Sequence, residues 1–178
     1  MTPLDVKSRG EWETILDRFS SSTNMTSCLT DEAGKQILCR FDRYPLCAGI
    51  RENEKSLTFI CSQTNTAMLA VVNKTRQPEI DFCEAGMIRV VVPIVRNGDM
   101  IGMVTACGLA SRAEEINTFL VSRELGVSEE QVKTMAKTTP FGSEKDLEEA
   151  AHALFRQLNP SPFDNAGENE SNKDRKVA

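Results

Sequence analysis

The chain has 178 residues, which is enough for one domain with a short arm or tail. Its 26 acidic residues outnumber its 21 basic ones, and the basic surface of a nucleic-acid-binding protein is not expected. The N-terminus lacks the pattern of a secretory signal, and no apolar run approaches the roughly 18 residues that a membrane span requires. The composition therefore predicts a cytoplasmic protein without a nucleic-acid or membrane partner, whose six cysteines are reduced.

The first predicted elements are a helix and a hairpin, which follow an N-terminal arm at residues 1–9. Apolar residues recur at helical spacing on one face of the helix: Trp12, Ile15, Leu16 and Phe19. Two short strands then flank a turn at residues 31–34. Cys28 lies on the first strand and Cys39 on the second. We interpret both as inert thiols, because no other feature supports a role for them.

A second helix is predicted at residues 57–72, where the apolar positions follow helical spacing. Cys61 lies on the apolar side of this helix, so we expect it to face the core. Cys47 precedes the helix. Because Pro45 biases the residue before it away from helical backbone, Cys47 is expected at the start of a loop or short helix.

The clearest segment of the chain is a hairpin of two apolar strands. The strands cover residues 88–95 and 100–107, and Asn97-Gly98 between them is a strong turn signal because both residue types tolerate positive φ. The two-residue period of a strand assigns four side chains of the second strand to one face: Ile101, Met103, Thr105 and Cys107. We interpret this hairpin as the centre of an antiparallel sheet.

Three further helices are predicted after the hairpin, each opening with a capping signature. Their capping residues are Ser111, Ser128 and Ser143, and Gly126 is suited to end the first of them. Residues 159–178 contain few apolar side chains and many polar ones. The sequence therefore predicts a domain at residues 10–158 and a disordered tail at 159–178.

Four cysteines are the main candidates for chemistry: Cys47, Cys61, Cys83 and Cys107. Thiolate ligands suit zinc or an iron–sulfur cluster, because soft sulfur binds these centres strongly. The four positions are much farther apart than in a C-x-x-C pattern, so their spacing alone supports little. Three interpretations stay open at this point: inert buried side chains, a shared metal or cluster site, and a redox pair or nucleophile.

The sequence does not indicate catalytic residues. His152 is the only histidine, and its alanine neighbours are typical of a packing or surface helix. The paired glutamates occupy the first turns of predicted helices, where they interact favourably with the helix dipole. A binding or sensing module is therefore favoured over an enzyme. The alternative is a redox-active cysteine enzyme or thiol switch, which requires an exposed thiol of low pKa.

Several motifs occur in an order that resembles a known family. They are a turn with Asp31 and Gly34, Cys47 before a helix, Cys61 within it, the stretch Cys83 to Met87 with Ala85 and Gly86, and the strand from Val92 to Ile94. Together they resemble the PocR sensory domain, which is named for a transcriptional regulator of propanediol utilisation. In other bacterial proteins this domain is fused to regulators, kinases and chemotaxis receptors. The resemblance covers about residues 10–125.

The resemblance implies an α+β, PAS-like fold, in which a curved antiparallel β-sheet and flanking helices enclose a small-molecule pocket, here with extra C-terminal helices. It implies one shared thiolate site formed by Cys47, Cys61, Cys83 and Cys107. An iron–sulfur cluster or zinc is the cofactor expected there, and a small organic ligand is the alternative. We expect Met87, Met103 and Thr105 to contact such a ligand.

Members of the family usually carry an output domain, whereas this chain stops after one more helix and a polar tail. The resemblance therefore implies a stand-alone sensory domain. Its signal would pass to a protein partner, such as a regulator or a kinase.

Overall fold

The computed structural model describes residues 1–40 and 44–160. The predicted tail lies outside the described residues from position 161 onwards. At its first position, the Asn159 side chain donates a hydrogen bond to the Pro93 carbonyl oxygen at 2.9 Å, and its Oδ1 accepts one from the Val95 amide at 2.6 Å. Asn159 is therefore attached to a strand of the sheet.

Five antiparallel strands form one open sheet with the spatial order β2-β1-β5-β4-β3. Their bounds are Thr26–Asp31 (β1), Gln36–Arg40 (β2), Glu79–Phe82 (β3), Ile88–Arg96 (β4) and Asp99–Leu109 (β5). The predicted hairpin is β4 and β5, and its turn has Asn97 and Gly98 at φ values of 53° and 88°. The sheet and its flanking helices confirm the predicted α+β, PAS-like fold.

The helices occupy both faces of the sheet. Their bounds are Pro3–Val6 (α1), Arg9–Thr23 (α2), Pro45–Glu52 (α3), Glu54–Ser56 (α4), Gln63–Thr75 (α5), Thr118–Leu125 (α6), Glu129–Ala136 (α7) and Glu144–Leu158 (α8). Within residues 1–40 and 44–160, no helix combines the length and the apolar character needed to cross a membrane. The predicted arm contains α1, where Pro3 is buried and its carbonyl oxygen accepts a hydrogen bond from Trp12 Nε1 at 2.9 Å.

The two faces of the sheet are covered differently. On one face, alternate side chains of β4 pack with α2 and α8 in the main hydrophobic core: Ile88, Val90, Val92 and Ile94. On the other face, Val91 and Met103 pack with Met68 and Val72 of α5 in a smaller cluster. The second face is therefore the less completely filled side of the sheet, and the candidate site lies there.

Two bulges in β5 determine which side chains reach this second face. Ile94 pairs with Gly102 while Val95 pairs with Met100, so that Ile101 is an extra residue in the ladder. An extra residue interrupts the regular alternation of side chains between the two faces of the sheet. The prediction that Ile101 shares a face with Met103, Thr105 and Cys107 was therefore wrong, because Ile101 packs in the core with α2 and α8.

The first of the three C-terminal helices begins later than predicted. Residues after Ser111 form only a short 3₁₀ turn, Ala113–Glu115, and the helix itself begins at Thr118. Asn117 caps it, since its Oδ1 accepts a hydrogen bond from the Leu120 amide at 3.0 Å. The capping roles predicted for Ser128 and Ser143 are confirmed.

Cys28 and Cys39 are directly opposite each other on β1 and β2, and their sulfur atoms are joined in a disulfide. The predictions that both are inert thiols and that all six cysteines are reduced were wrong at this pair. The remaining cysteines are free: Cys47, Cys61, Cys83 and Cys107. The sequence spacing alone did not reveal that a two-strand register brings the first two together.

A tight turn between β3 and β4 carries Cys83. The Cys83 amide donates to the Met87 carbonyl oxygen at 2.9 Å, and the Gly86 amide donates to the Cys83 carbonyl oxygen at 2.7 Å. Gly86 has φ +80°, and a Cβ atom built on it would collide with the carbonyl oxygen of Glu115. Position 86 therefore requires glycine for two reasons, positive φ and close backbone approach.

We expect the Gly86→Ala variant to lose at least about 2 kcal/mol of unfolding free energy, because it combines an unfavourable φ with a backbone clash. The measurement is urea unfolding followed by circular dichroism. Gly10→Ala is the matched control, since nothing lies within 4 Å of a Cβ added at Gly10, and an alanine within a helix is favoured over glycine by up to about 1 kcal/mol. Equal stability of the two variants would contradict the role assigned to Gly86.

Candidate functional site

A cavity of about 370 Å³ lies between the second face of the sheet and the helical segments around α5. Residues of β1, β4 and β5 form its floor, and these include Thr26, Cys28, Thr30, Arg89, Val91, Met103, Thr105 and Cys107. Residues of the helices form its roof and rim, and these include Arg51, Leu57, Cys61, Asn65, Thr66 and Leu69. Its size and its mixture of apolar and polar walls are typical of a small-molecule site.

A π-helical segment carries Cys61 into the roof. Leu57–Ser62 is π-helical, and it joins α4 to α5 without interruption, since Ser56 and Ser62 at its two ends both have right-handed helical backbone. Short π-helical segments within α-helices occur frequently at functional sites. This segment contains Leu57 and Cys61, which both line the cavity.

A glycine bulge brings Cys107 opposite Arg89. Ile88 pairs with Leu109 while Arg89 pairs with Cys107, so Gly108 is the extra residue of β5 at this end. Gly108 has φ +112°, and a Cβ added to it would lie 3.2 Å from the Tyr44 ring. The bulge therefore depends on glycine, and it determines that Arg89 and Cys107 lie side by side on the cavity floor.

Two arginines give the cavity a positive character. Arg89 is 8% exposed, and its Nε has no hydrogen-bond partner. Arg51 Nη2 donates a hydrogen bond to Cys107 Sγ at 3.0 Å. Among the described residues, no aspartate or glutamate lines the cavity. The described part of the lining thus contains two guanidinium groups, although the whole chain has a formal net charge of −5.

The four free cysteines share one neighbourhood at an end of the cavity. Cys61 and Cys107 line the cavity wall. Cys47 of α3 and Cys83 of the β3–β4 turn pack with Cys61 against a second apolar cluster, which includes Leu46 and Ile60. The structure therefore places the four predicted cysteines in one region of the fold, but only Cys61 and Cys107 line the cavity.

Burial keeps three of these thiols protonated, those of Cys47, Cys61 and Cys83. Burial is the main cause that raises the pKa of the Cys61 thiol to about 11; the neighbouring Cys107 and Cys83 contribute to this rise, and Arg89 and Arg51 oppose it. Burial also raises the pKa of Cys47, with added contributions from Cys107 and Cys83. The pKa of Cys83 is raised by burial as well, although backbone amides of Met87 and Ala85 oppose it. These three cysteines are neutral thiols at physiological pH.

The thiols do not form a coordination shell in this arrangement. Within residues 1–40 and 44–160, no group of three or more cysteine, histidine, aspartate or glutamate side chains is arranged so that it could hold a metal ion. The donor type suits zinc or an iron–sulfur cluster, but the geometry does not.

The three residues predicted to contact a ligand lie in two different surroundings. Met103 and Thr105 line the cavity. Met87 is 1% exposed and packs in the second apolar cluster with Leu46 and Ile60, away from the cavity lining.

Arg89 and Arg51 were missed in the sequence analysis. Arg89 is the only charged residue within the otherwise apolar run at positions 87–95. A single charge in a strand that is buried on both faces is unusual, since charged residues are almost never fully buried unless they are paired. That signal was present in the sequence. For Arg51, by contrast, no sequence signal distinguishes it from the other charges on surface helices.

Comparison with known proteins gives a family match that covers nearly the whole chain. A family model described as a sensory domain found in PocR matches residues 5–160. No curated protein and no solved structure gave a significant match.

The raised thiol pKa values predict that the protein loses stability in alkali. Below pH 9 the thiol is protonated in both states. Between pH 9 and about 11 the unfolded Cys61 loses its proton before the folded one, so the unfolded state is favoured as pH rises. For Cys61 alone we expect a loss of about 2 kcal/mol by pH 11, which is most of the roughly 3 kcal/mol that two pKa units represent at about 1.4 kcal/mol each.

Urea unfolding at pH 8 and pH 11, on protein treated with a chelator, measures this loss. The Cys61→Ala variant should show a smaller loss than the parent, and Ser62→Ala, which alters an exposed neighbour in the same helix, should match the parent. Equal alkaline losses in the parent and in Cys61→Ala would show that Cys61 is not the titrating group.

Proposed function

The chain belongs to the PocR sensory-domain family, and from that premise we propose that it binds a small molecule in the cavity between its sheet and α5. The observation that carries the proposal is the cavity of about 370 Å³, whose walls combine apolar side chains with a few polar ones. A domain that senses small molecules needs such a concave site. Met103 and Thr105 are the floor residues that we expect to contact the ligand.

Binding would act on the helical segments that form the roof. A ligand shifts an equilibrium only by its different affinity for two states. The roof contains Cys61 and Leu57 on its inner side, whereas its outer side has Phe59 (48% exposed) and Val71 (40% exposed). We propose that occupancy moves this roof and so alters a contact between its outer side and a protein partner.

A catalytic role is not proposed. A cysteine nucleophile needs a thiolate, and burial raises the pKa of Cys47, Cys61 and Cys83. This direction is opposite to the one that a redox-active enzyme or a thiol switch requires.

A second form of the proposal concerns a metal centre. Four free cysteines share one neighbourhood, and their donor type suits zinc or an iron–sulfur cluster. Their present arrangement is not a coordination shell. The small-molecule form is therefore the leading proposal, and the metal form is the one to test against it.

Blocking the mouth of the cavity should abolish small-molecule binding. Asn65 is exposed on α5 and lines the mouth, so the Asn65→Trp variant places an indole there without disturbing the core. We expect the parent protein to retain a compound from the low-molecular-weight fraction of a bacterial extract, as seen by native mass spectrometry, and Asn65→Trp to retain none.

Ala70→Trp is the matched control, because Ala70 is exposed on the same helix but does not line the cavity. It should bind like the parent. If Asn65→Trp retained the compound to the same extent as Ala70→Trp, the cavity would not be the binding site.

The metal form makes a separate prediction. Protein purified without oxygen would contain iron and sulfide with broad visible absorption, or stoichiometric zinc without colour. Replacing Cys61 and Cys83 together by serine would abolish the metal content, whereas replacing Cys28 and Cys39 by serine would preserve it, since these two are joined to each other. A folded, colourless and metal-free parent protein, by elemental analysis, would contradict the metal form.

A further inference from the structure

The floor of the cavity contains a buried cation that has no counterion among residues 1–40 and 44–160. Arg89 is 8% exposed, its buried Nε has no hydrogen-bond partner, and no carboxylate of the described residues forms a salt bridge with it. Its location at the Gly108 bulge turns it toward the cavity, beside Cys107. A guanidinium carries its charge at every physiological pH, so it cannot relieve its burial by losing a proton.

A buried charge that lacks a partner destabilises a folded protein. The desolvation of an ion costs several kcal/mol even after relaxation, and polar groups in protein interiors are normally paired. Replacement of an unpaired buried ion by an apolar side chain is often neutral or stabilising. The position of Arg89 is therefore not explained by folding stability.

The carboxylate opposite Arg89 on the neighbouring strand does not serve as the counterion. Asp81 of β3 is the residue opposite Arg89 in the strand register. It is exposed, and its Oδ1 accepts a hydrogen bond from the Phe82 amide at 2.8 Å. No ion pair joins Asp81 to Arg89 in the described structure, so the charge of Arg89 remains directed at the cavity.

We propose that the ligand of this cavity is a small organic carboxylate, whose carboxylate group pairs with Arg89 and whose apolar part contacts Val91, Met103 and Leu69. The inference rests on the proposed binding of a small molecule and specifies its chemical class. A planar guanidinium matches a carboxylate through two parallel hydrogen bonds. The apolar walls favour an organic anion over an inorganic one.

Matched pairs of probes test the charge requirement. Isothermal titration of the full chain with butanoate, hexanoate and benzoate, each compared with its neutral amide, should identify at least one carboxylate that binds at least about tenfold more tightly than its amide. This ratio corresponds to one charge-assisted pair of about 1.4 kcal/mol. Inorganic phosphate is included to separate an organic ligand from a simple anion.

Variants at position 89 test the residue. Arg89→Met should weaken the carboxylate at least about tenfold and leave the weak affinity for the amide unchanged, and Arg89→Lys should retain part of the affinity. In the absence of ligand, Arg89→Met should unfold at the same or a higher urea concentration than the parent. Asp81→Asn, which removes the carboxylate across the strands, should bind the carboxylate like the parent.

Several results would overturn the inference. In the titrations, these are the absence of binding by every carboxylate, equal binding of each carboxylate and its amide, and tighter binding of phosphate than of every carboxylate. In the unfolding experiments, it is a marked loss of stability in Arg89→Met that Asp81→Asn reproduces. An amide that binds well and is blocked by Asn65→Trp would reject the carboxylate while leaving cavity binding intact. Loss of all binding, including that of compounds in the extract, would reject the proposed function itself.

Discussion

The cavity exists because one helical layer cannot cover five strands. An α-helix with its side chains is about 10–12 Å wide, whereas neighbouring strands are about 4.8 Å apart, so that one helix covers roughly two strands. The buried side chains of the roof form a single narrow row: Ile60, Thr64, Met68 and Val72. On the opposite face, α2 and α8 together fill the space above the sheet. The unfilled face is therefore a consequence of the architecture, and it leaves space for a ligand above the sheet.

The two bulges of β5 select which side chains occupy that unfilled face. Without the extra residues Ile101 and Gly108, the side chains of β5 would alternate between the two faces of the sheet along the whole strand. At each end of β5, different residues would then pair with β4. Gly108 combines φ +112° with a close approach to Tyr44, so the bulge near Arg89 is determined by glycine. A local irregularity of the backbone thus sets the chemistry of the cavity floor, where Arg89 and Cys107 become neighbours.

Local signals allowed much of the fold to be predicted, and the site could be predicted only in part. The turn at Asn97-Gly98 and the helix caps at Ser128 and Ser143 depend only on neighbouring residues. Their roles therefore follow from a few residues of sequence.

Bulges depend instead on how two distant strands align, and for this reason the face of the sheet on which Ile101 lies was predicted wrongly. The Cys28–Cys39 disulfide has the same origin, since only the register of β1 and β2 brings these residues together. Arg89 could have been recognised as a lone charge in an apolar run. Whether its side chain has a hydrogen-bond or ion-pair partner, however, depends on the tertiary structure.

The described walls of the cavity combine the neutral thiol of Cys61 with a buried guanidinium at Arg89. Burial keeps the pKa of the Cys61 thiol near 11, so this wall contributes a neutral group at physiological pH. The described lining contains arginines and no carboxylate. In a space of low dielectric constant, an uncompensated guanidinium creates a stronger field than it would in water. An apolar residue at position 89 would fill the same volume without that electrostatic cost, so the arrangement acquires a physical rationale only when an anion occupies the cavity.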